Sequence, residues 1–497
     1  MARRGRPGAD AEVLRFKVMA VILACVWHAL TSTEHGRAAS AEPPPRRVRL
    51  STQAAVVWGL VLLSPSILLP FNAAASTELT RDVATVGQVA AVAVLAIALI
   101  QRDRAPWGSP DGSMSRVVIA AFLFVGTALG AVSALALESH LSHWAVVALV
   151  ITDAGAAFVV CLAVIADAPR VAWYAAAAVF LSQAALGLST DIVVDVISFL
   201  DSGAHALLHG HDAYAVHVLS PYRPADNARF FPPSLLDGRV VDAGFAYPPV
   251  VLLATTFGYL LGSVRLTGVL AMGLAVVIAG RRVEDSRAAL LTLAPGMLAV
   301  FANSWTEPIS VLLLVLAVVG FRRGSRWAPV WLGLLLVSKQ YFVVAAPLVF
   351  LLLWADRRSA PRWREMGVTA ASGFVGLVPF ALWHPHDFWH SVVTFQFLQQ
   401  LRPECPGLLI WSVEHLGWPP SAAYGVIPLV AGLGLAGLLA WRGPRHPAGF
   451  SAALAVVVAV SVTLSKQGFT NYWFFVIAAL LVAWLTWPTQ MKEATPE

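Results

Sequence analysis

The chain has 497 residues, 58% of them hydrophobic and 12% charged, with a formal net charge of +6 and a mean hydropathy of +0.72. Soluble domains carry roughly 25% charged residues, so this deficit excludes a disordered chain, a nucleic-acid arm and an ordinary cytosolic enzyme, and points to a polytopic membrane protein. The basic surplus then reads as charge sorted across a bilayer, with no nucleic-acid partner expected.

Residues 1–50 set a basic stretch before a short apolar run at 18–31, with small residues following at Ala39 and Ala41. That order fits a signal-like segment. Cleavage there would export Arg46, Arg47 and Arg49, against the charge rule, so a disordered cytoplasmic arm stands equally open. Apolar runs long enough to cross about 30 Å of hydrocarbon follow near 53–71, 84–101, 117–138, 144–166 and 171–190. After a polar gap come 266–281, 287–303, 307–321, 328–354, 366–383, 424–441, 449–465 and 470–487. Backbone polar groups in lipid must be bonded internally, which makes helices of these runs. The expected fold is an all-α multi-pass bundle of about 12–14 transmembrane helices. Asp153, in mid-span, is expected to hydrogen-bond within the bundle.

Orientation follows from arginine in the short loops. Placing the clusters at 46–49, 102–116, 170, 281–287, 322–326, 357–364 and 442–445 in the cytoplasm exports two long loops, 191–246 and 384–423. The C-terminal tail, 489–497, is then cytoplasmic. The scheme closes only if 247–262 does not span and 328–354 is a hairpin of two short helices turning at Ser338-Lys339-Gln340. Broken helices at membrane depth are tolerated where they are buried or line a cavity.

The first loop opens on Asp191, Asp195 and Asp201 at the end of a span. Any one of them is explained by ending a helix and solvating a loop. Three carboxylates so close to hydrocarbon bring a catalytic base among them level with that reading. Val196, Phe199, Leu200, Gly203, Ala204 and Leu207 share one helical face, which suits a short helix lying on the membrane surface. The second loop holds an aromatic belt at Trp383, Trp389, Trp411 and Trp418, and an arginine, Arg402, on the side that the charge rule depletes. Lysine is scarce, yet Ser338-Lys339-Gln340 is echoed by Ser465-Lys466-Gln467, both at exported helix ends. Snorkelling to lipid phosphates explains either lysine. The alternative is a pocket where Lys339, Lys466 and Arg402 hold a phosphate, lysine as a point charge and arginine as a planar fork. The turn before Glu307 brings another carboxylate to that face. His209/His211 and His384/His386 each stand beside an acid, but neither a HExxH helix nor a cysteine set accompanies them, so no metal is expected.

Taken in order, these segments resemble glycosyltransferase family 87. They are Leu207-Leu208-x-Gly210-x-Asp212-x-Tyr214, Phe245-x-Tyr247-Pro248-Pro249, the Ser-Lys-Gln hairpin, Phe395-Gln396 with Leu401-Arg402-Pro403, and Lys466-Gln467-x-Phe469-x-Asn471-Tyr472. The likeness covers about residues 185–487, and only the order of its short motifs makes it specific. It implies a GT-C-like enzyme of the bacterial plasma membrane that needs no cofactor. Such an enzyme takes a sugar from a polyprenyl-phosphate donor to a lipid or polysaccharide acceptor on the extracytoplasmic face, with inversion. Mannose is the sugar implied first, arabinofuranose second. Asp195, then Asp191, would be the base; Arg402, Lys339 and Lys466 would meet the phosphate. Tyr247 and Glu307 would meet sugar hydroxyls, with Tyr214, Gln467 and Asn471 also contacting substrate. GT-C enzymes place the acidic loop after their first span, so 51–166 reads as additional N-terminal helices and 167–488 as the catalytic region. A transporter or flippase for a lipid-linked or anionic solute is the competing reading, and a non-catalytic membrane subunit is a third. Acids gathered at one face beside long loops favour the enzyme.

Overall fold

The computed structural model describes Gly59 and residues 78–100, 112–136, 138–283, 285–354, 360–419 and 421–487. The readings for 1–50, for 53–71 apart from Gly59, and for 489–497 lie outside the described residues. The fold is all-α, 76% helical with almost no sheet. Four long helices come first: α1 (Glu78–Ile100), α2 (Gly112–Ser133), α3 (His143–Ile165) and α4 (Pro169–Leu188). Then come α5 (Asp195–Leu208), α6 (Pro249–Leu260), α7 (Arg265–Val283), α8 (Glu307–Arg322) and α9 (Ala328–Leu336). The series ends with α10 (Trp363–Trp383), α11 (Val426–Arg442), α12 (Pro447–Thr463) and α13 (Thr470–Thr486).

Seven helices among the described residues, α1 to α4, α7, α10 and α11, are long and apolar enough to cross a membrane. Their outer faces expose large apolar side chains, among them Phe158, Leu181, Phe374, Val375, Val430 and Leu433. Apolar surface so extensive is uncommon in water and natural against lipid. The chain is a multi-pass membrane protein. Helices α12 and α13 are apolar all round and buried along nearly their whole length, as befits helices enclosed by others.

Charge is sorted between the two ends of the bundle. Arg323 Nε donates to the Arg282 carbonyl (2.8 Å), Arg287 lies over Trp484 (4.9 Å), and Arg445 Nη1 donates to the Phe350 carbonyl (3.2 Å). Asp195, Lys339, Glu307 and Asn471 gather at the opposite end. Helix α6 starts and finishes at that second end. Arg265, just after it, donates to the Thr190 carbonyl (2.7 Å) and to the Gly187 carbonyl (3.2 Å), capping the end of α4. Segment 247–262 therefore does not span. Residues 328–354 form two short pieces: α9 ends at Leu336, Lys339 is extended (φ −144°, ψ 146°), and a tight helix runs over Gln340–Val349.

Two expectations need correction. The run 287–303 is not one helix: a 3₁₀ stretch, Ser286–Leu293, breaks at Pro295-Gly296, with Gly296 at φ +89°, before Met297–Ala302. Proline withholds a backbone N–H and glycine adopts the left-handed turn, and burial within the bundle makes the break tolerable in a membrane. The apolar face of α5, expected to lie on lipid, packs on protein instead. Phe199 meets Phe395 (5.7 Å between ring centres), and Gly203 approaches Phe245 so closely that a Cβ would stand 2.3 Å from its ring.

The two long loop segments, 191–246 and 384–423, form one cap. A small antiparallel sheet, β1 (Val218–Leu219), β2 (Leu236–Asp237) and β3 (Val240–Val241), has the order β1-β3-β2. It covers a cluster including Phe199, Phe231, Leu235 and Phe395. The Gly244 amide donates to Ser391 Oγ (2.9 Å), and the His384 Nδ1 to Asp212 Oδ2 pair (2.8 Å) ties the segments again. A Cβ at Gly244 would stand 2.2 Å from the Tyr214 carbonyl, so only glycine fits there. Within the bundle, Asp153 is buried with Gln183 Nε2 at 3.5 Å.

Orientation is testable on exposed positions. In a Cys25→Ser background, in which the described cysteines, Cys161 and Cys405, are buried, His386→Cys is expected to react with an impermeant maleimide added to intact cells. Ser325→Cys is expected to react only after permeabilisation. The reverse pattern would invert the orientation.

Candidate active site

Beneath the cap lies a cavity of about 910 Å³, large enough for a sizeable ligand. Asp195, Tyr222, Tyr247, Lys339, Arg402 and Asn471 are among the polar side chains that line it. Its apolar side is lined by Val343, Leu377 and Leu429, the last two from α10 and α11, whose outer faces are apolar and exposed.

Asp195 is the first residue of α5, where the extended Val194 caps the helix. Its Oδ1 accepts from the Val196 amide (3.0 Å) and from the Tyr222 hydroxyl (3.1 Å). Burial raises the carboxyl above its ordinary range, opposed by the Tyr222 hydrogen bond and by the Arg402 charge. Burial also raises the Tyr222 phenol, with the Asp195 charge adding to it, so Tyr222 stays a proton donor. Cys405 lines the same space, but burial pushes its thiol up to about 12, too high for a nucleophile near neutral pH.

Arg402 sits over the rings of Phe230 (4.8 Å) and Phe469 (5.2 Å) and directs Nε and Nη2 at Glu404 Oε1, both at 2.7 Å. Two of its five N–H donors are so engaged. Lys339 sits on the hairpin turn, 2.8 Å from Glu307 Oε1 and 4.9 Å from the Tyr247 ring centre. Gln340 Nε2 donates to the Ala246 carbonyl (2.6 Å), which fixes the turn against the start of α6.

Comparisons with family models, curated proteins and solved structures find no match. The site is therefore read from its own chemistry.

The structure sorts the expected residues into two groups. Asp195, Arg402, Lys339, Tyr247, Gln467 and Asn471 all line the cavity. The others do not. Asp191 lies outside it, paired with His140 Nε2 (2.6 Å) while its amide donates to the Glu138 carbonyl (3.1 Å), a clasp between the ends of α2 and α4. Glu307 is fully buried behind Lys339 and accepts from Asn471 Nδ2 (2.8 Å), so it touches the ammonium and not the cavity. Tyr214 is a core residue whose hydroxyl donates to the Tyr247 carbonyl (3.0 Å). Lys466 differs from its echo Lys339. Its ammonium donates to the Phe397 (2.7 Å) and Gln399 (2.6 Å) carbonyls, and burial lowers its pKa. Its carbonyl accepts the Arg402 amide (2.9 Å), so Lys466 holds in place the segment that carries the arginine.

The histidine pairs are split in the same way: His384 bonds Asp212, and His209 stacks on His205. Sequence reasoning missed Tyr222 and Glu404. For Glu404 a signal existed, a carboxylate two positions after Arg402. For Tyr222 there was none.

Proposed function

We propose that the chain is a membrane glycosyltransferase that moves a sugar from a polyprenyl-phosphate donor to a lipid or glycan hydroxyl at the cap side of the bilayer. The observation that carries the reading is the cavity itself. Two carboxylates, Asp195 and Glu404, and three cations, Arg229, Lys339 and Arg402, are among its lining residues, and its apolar side borders helices with apolar, exposed outer faces. Arg402 and Lys339 suit a phosphate because, among the described residues, their remaining donors take no hydrogen-bond partner while Glu404 and Glu307 hold the groups in position. Asp195 suits a general base, its proton affinity raised toward the working pH.

In this reading Asp195 takes the proton of the acceptor hydroxyl as that oxygen bonds to the anomeric carbon. The bond from that carbon to the phosphate oxygen breaks, and the electron pair leaves with the polyprenyl phosphate. Charge growing on the phosphate is met by Arg402 and Lys339, where preorganised donors act most strongly. The transition state is oxocarbenium-like. Attack opposite the leaving phosphate inverts the anomeric centre. The resemblance to glycosyltransferase family 87 puts mannose first as the sugar and the bacterial plasma membrane as the location.

The test uses membranes containing the full chain and polyprenyl-phosphate mannose labelled in the sugar, with a parallel arabinofuranose donor. Label is expected to pass to a lipid or glycan fraction only where the protein is present. Movement of intact donor across the bilayer, with no sugar transferred, would establish the transporter reading instead.

A further inference from the structure

Arg402 and Asp195 come from different loops, yet one piece of the cap touches both. Tyr222 precedes the short helix Pro224–Phe230, and Phe230 is its last residue. The Tyr222 hydroxyl donates to Asp195 Oδ1 (3.1 Å) and accepts from the Asp195 amide (3.4 Å), a bridge across the first turn of α5. Its ring stacks on Phe230, with centres 3.7 Å apart and planes 11° from parallel. The Phe230 ring in turn carries the Arg402 guanidinium at 4.8 Å. A continuous contact path thus runs from carboxylate to phenol, from phenol to phenyl, and from phenyl to guanidinium.

We infer that Tyr222 and Phe230 are positioning residues, which set the base and the phosphate-binding arginine at a fixed separation on opposite sides of the bond to be broken. The inference rests on the transferase reading above. Its physical content is that Asp195 presents one oxygen outward. Oδ1 is occupied by Tyr222 and the Val196 amide, whereas Oδ2 takes no hydrogen bond from the described residues and is left for an acceptor proton. Phe230 contributes no proton chemistry. It holds the arginine by a cation–π contact, which orients the fork while Glu404 occupies two of its donors.

The two residues therefore leave different signatures. The groups that act electrostatically on Asp195 are Tyr222, Arg402, Tyr247 and Tyr472. Of these, only the Tyr222 hydroxyl and Arg402 favour the charged carboxylate. Tyr222→Phe keeps the ring on Phe230 and removes the hydroxyl. It is expected to raise the pKa of Asp195, moving the acid limb of kcat/KM up by about one pH unit, with donor KM near the wild-type value. Phe230→Leu keeps the hydroxyl and removes the aromatic face. It is expected to raise donor KM about five- to tenfold and to move the acid limb less than Tyr222→Phe does, since the hydroxyl on Asp195 is kept.

The assay compares both variants with wild type in membranes matched for protein level, with Asp195→Asn run alongside. A Tyr222→Phe profile that superimposes on wild type, while Asp195→Asn is inactive, overturns the inference and leaves the transferase reading intact. A Phe230→Leu protein with wild-type donor KM also overturns it. Full transfer by Asp195→Asn removes the base itself, and the inference falls with that reading.

Discussion

Asp195→Asn is expected to lower kcat by about 10³-fold, in the middle of the range for loss of a general base, and to leave the protein folded. Asparagine has the same shape and keeps an oxygen for the Val196 amide and the Tyr222 hydroxyl. What disappears is the capacity to take a proton. The pH dependence separates this from a structural effect. Burial raises the Asp195 carboxyl above its ordinary value of 3.8, so the folded chain binds that proton more tightly than the unfolded chain does. Between 3.8 and the raised value, stability therefore falls as pH rises, and above the raised value the full cost of the buried charge is present. Asparagine removes that cost. At neutral pH the variant is expected to melt no earlier than wild type in a detergent thermal-shift measurement, an inactive protein with an undamaged fold. In wild type, transfer is expected to decline as pH falls through the raised value, because the protonated acid is no base. An Asp195→Asn protein that transfers sugar normally would remove the assignment. One that melts well below wild type would make Asp195 a structural cap. Asp191→Asn is the natural control, since Asp191 bonds His140 outside the cavity and its loss is expected to spare transfer.

The parts of this molecule that hydropathy and charge dictate were legible without coordinates. Long apolar spans with arginine-rich ends follow from the bilayer's thickness and polarity, and the two segments that upset the crossing count, 247–262 and 328–354, are a non-spanning helix and a broken pair. The break at Pro295-Gly296 was missed because a hydropathy reading registers apolar mass and not continuity, although both residues are helix breakers. The apolar face of α5 was misplaced for a different reason. A stripe of apolar side chains has the same pattern whether lipid or protein covers it, and only the fold brings Phe245 and Phe395 onto it.

At the site, Asp195, Lys339 and Arg402 could be picked out because each is a charge in an unusual place for a membrane protein. The identical tripeptides around Lys339 and Lys466 show where that logic stops. Both lysines need partners. Which partner each finds, a buried carboxylate for Lys339 or two carbonyls for Lys466, depends on chain segments far away in sequence. Tyr222 is invisible for the same reason: its role exists only once the first-loop segment folds back over the start of α5.

The Lys339–Glu307 pair carries the largest expected effect on stability. Glu307 Oε1 accepts from both the Lys339 ammonium and Asn471 Nδ2, each at 2.8 Å, and the carboxylate is fully buried with the lysine nearly so. Glu307→Ala strands a nearly buried cation and leaves the Asn471 amide without its acceptor. Breaking a buried ion pair from one side costs about 3–5 kcal/mol, so this variant is expected to melt well below wild type and to accumulate poorly. Replacing both charges is a different matter. Glu307→Gln combined with Lys339→Met keeps an acceptor for Asn471 and fills the lysine's volume with apolar atoms, and such exchanges are often neutral or stabilising. The double variant is expected to recover most of the lost thermal stability in the same detergent assay, yet to transfer sugar poorly, because no ammonium then faces the phosphate beside Tyr247. That split distinguishes a pair kept for catalysis from one kept for folding. If the double variant transfers sugar like wild type, Lys339 has no part in holding the donor, and the leaving phosphate must be met by the arginines that line the cavity, Arg402 and Arg229. If Glu307→Ala melts like wild type, the ammonium has another counter-charge and Glu307 does not position it.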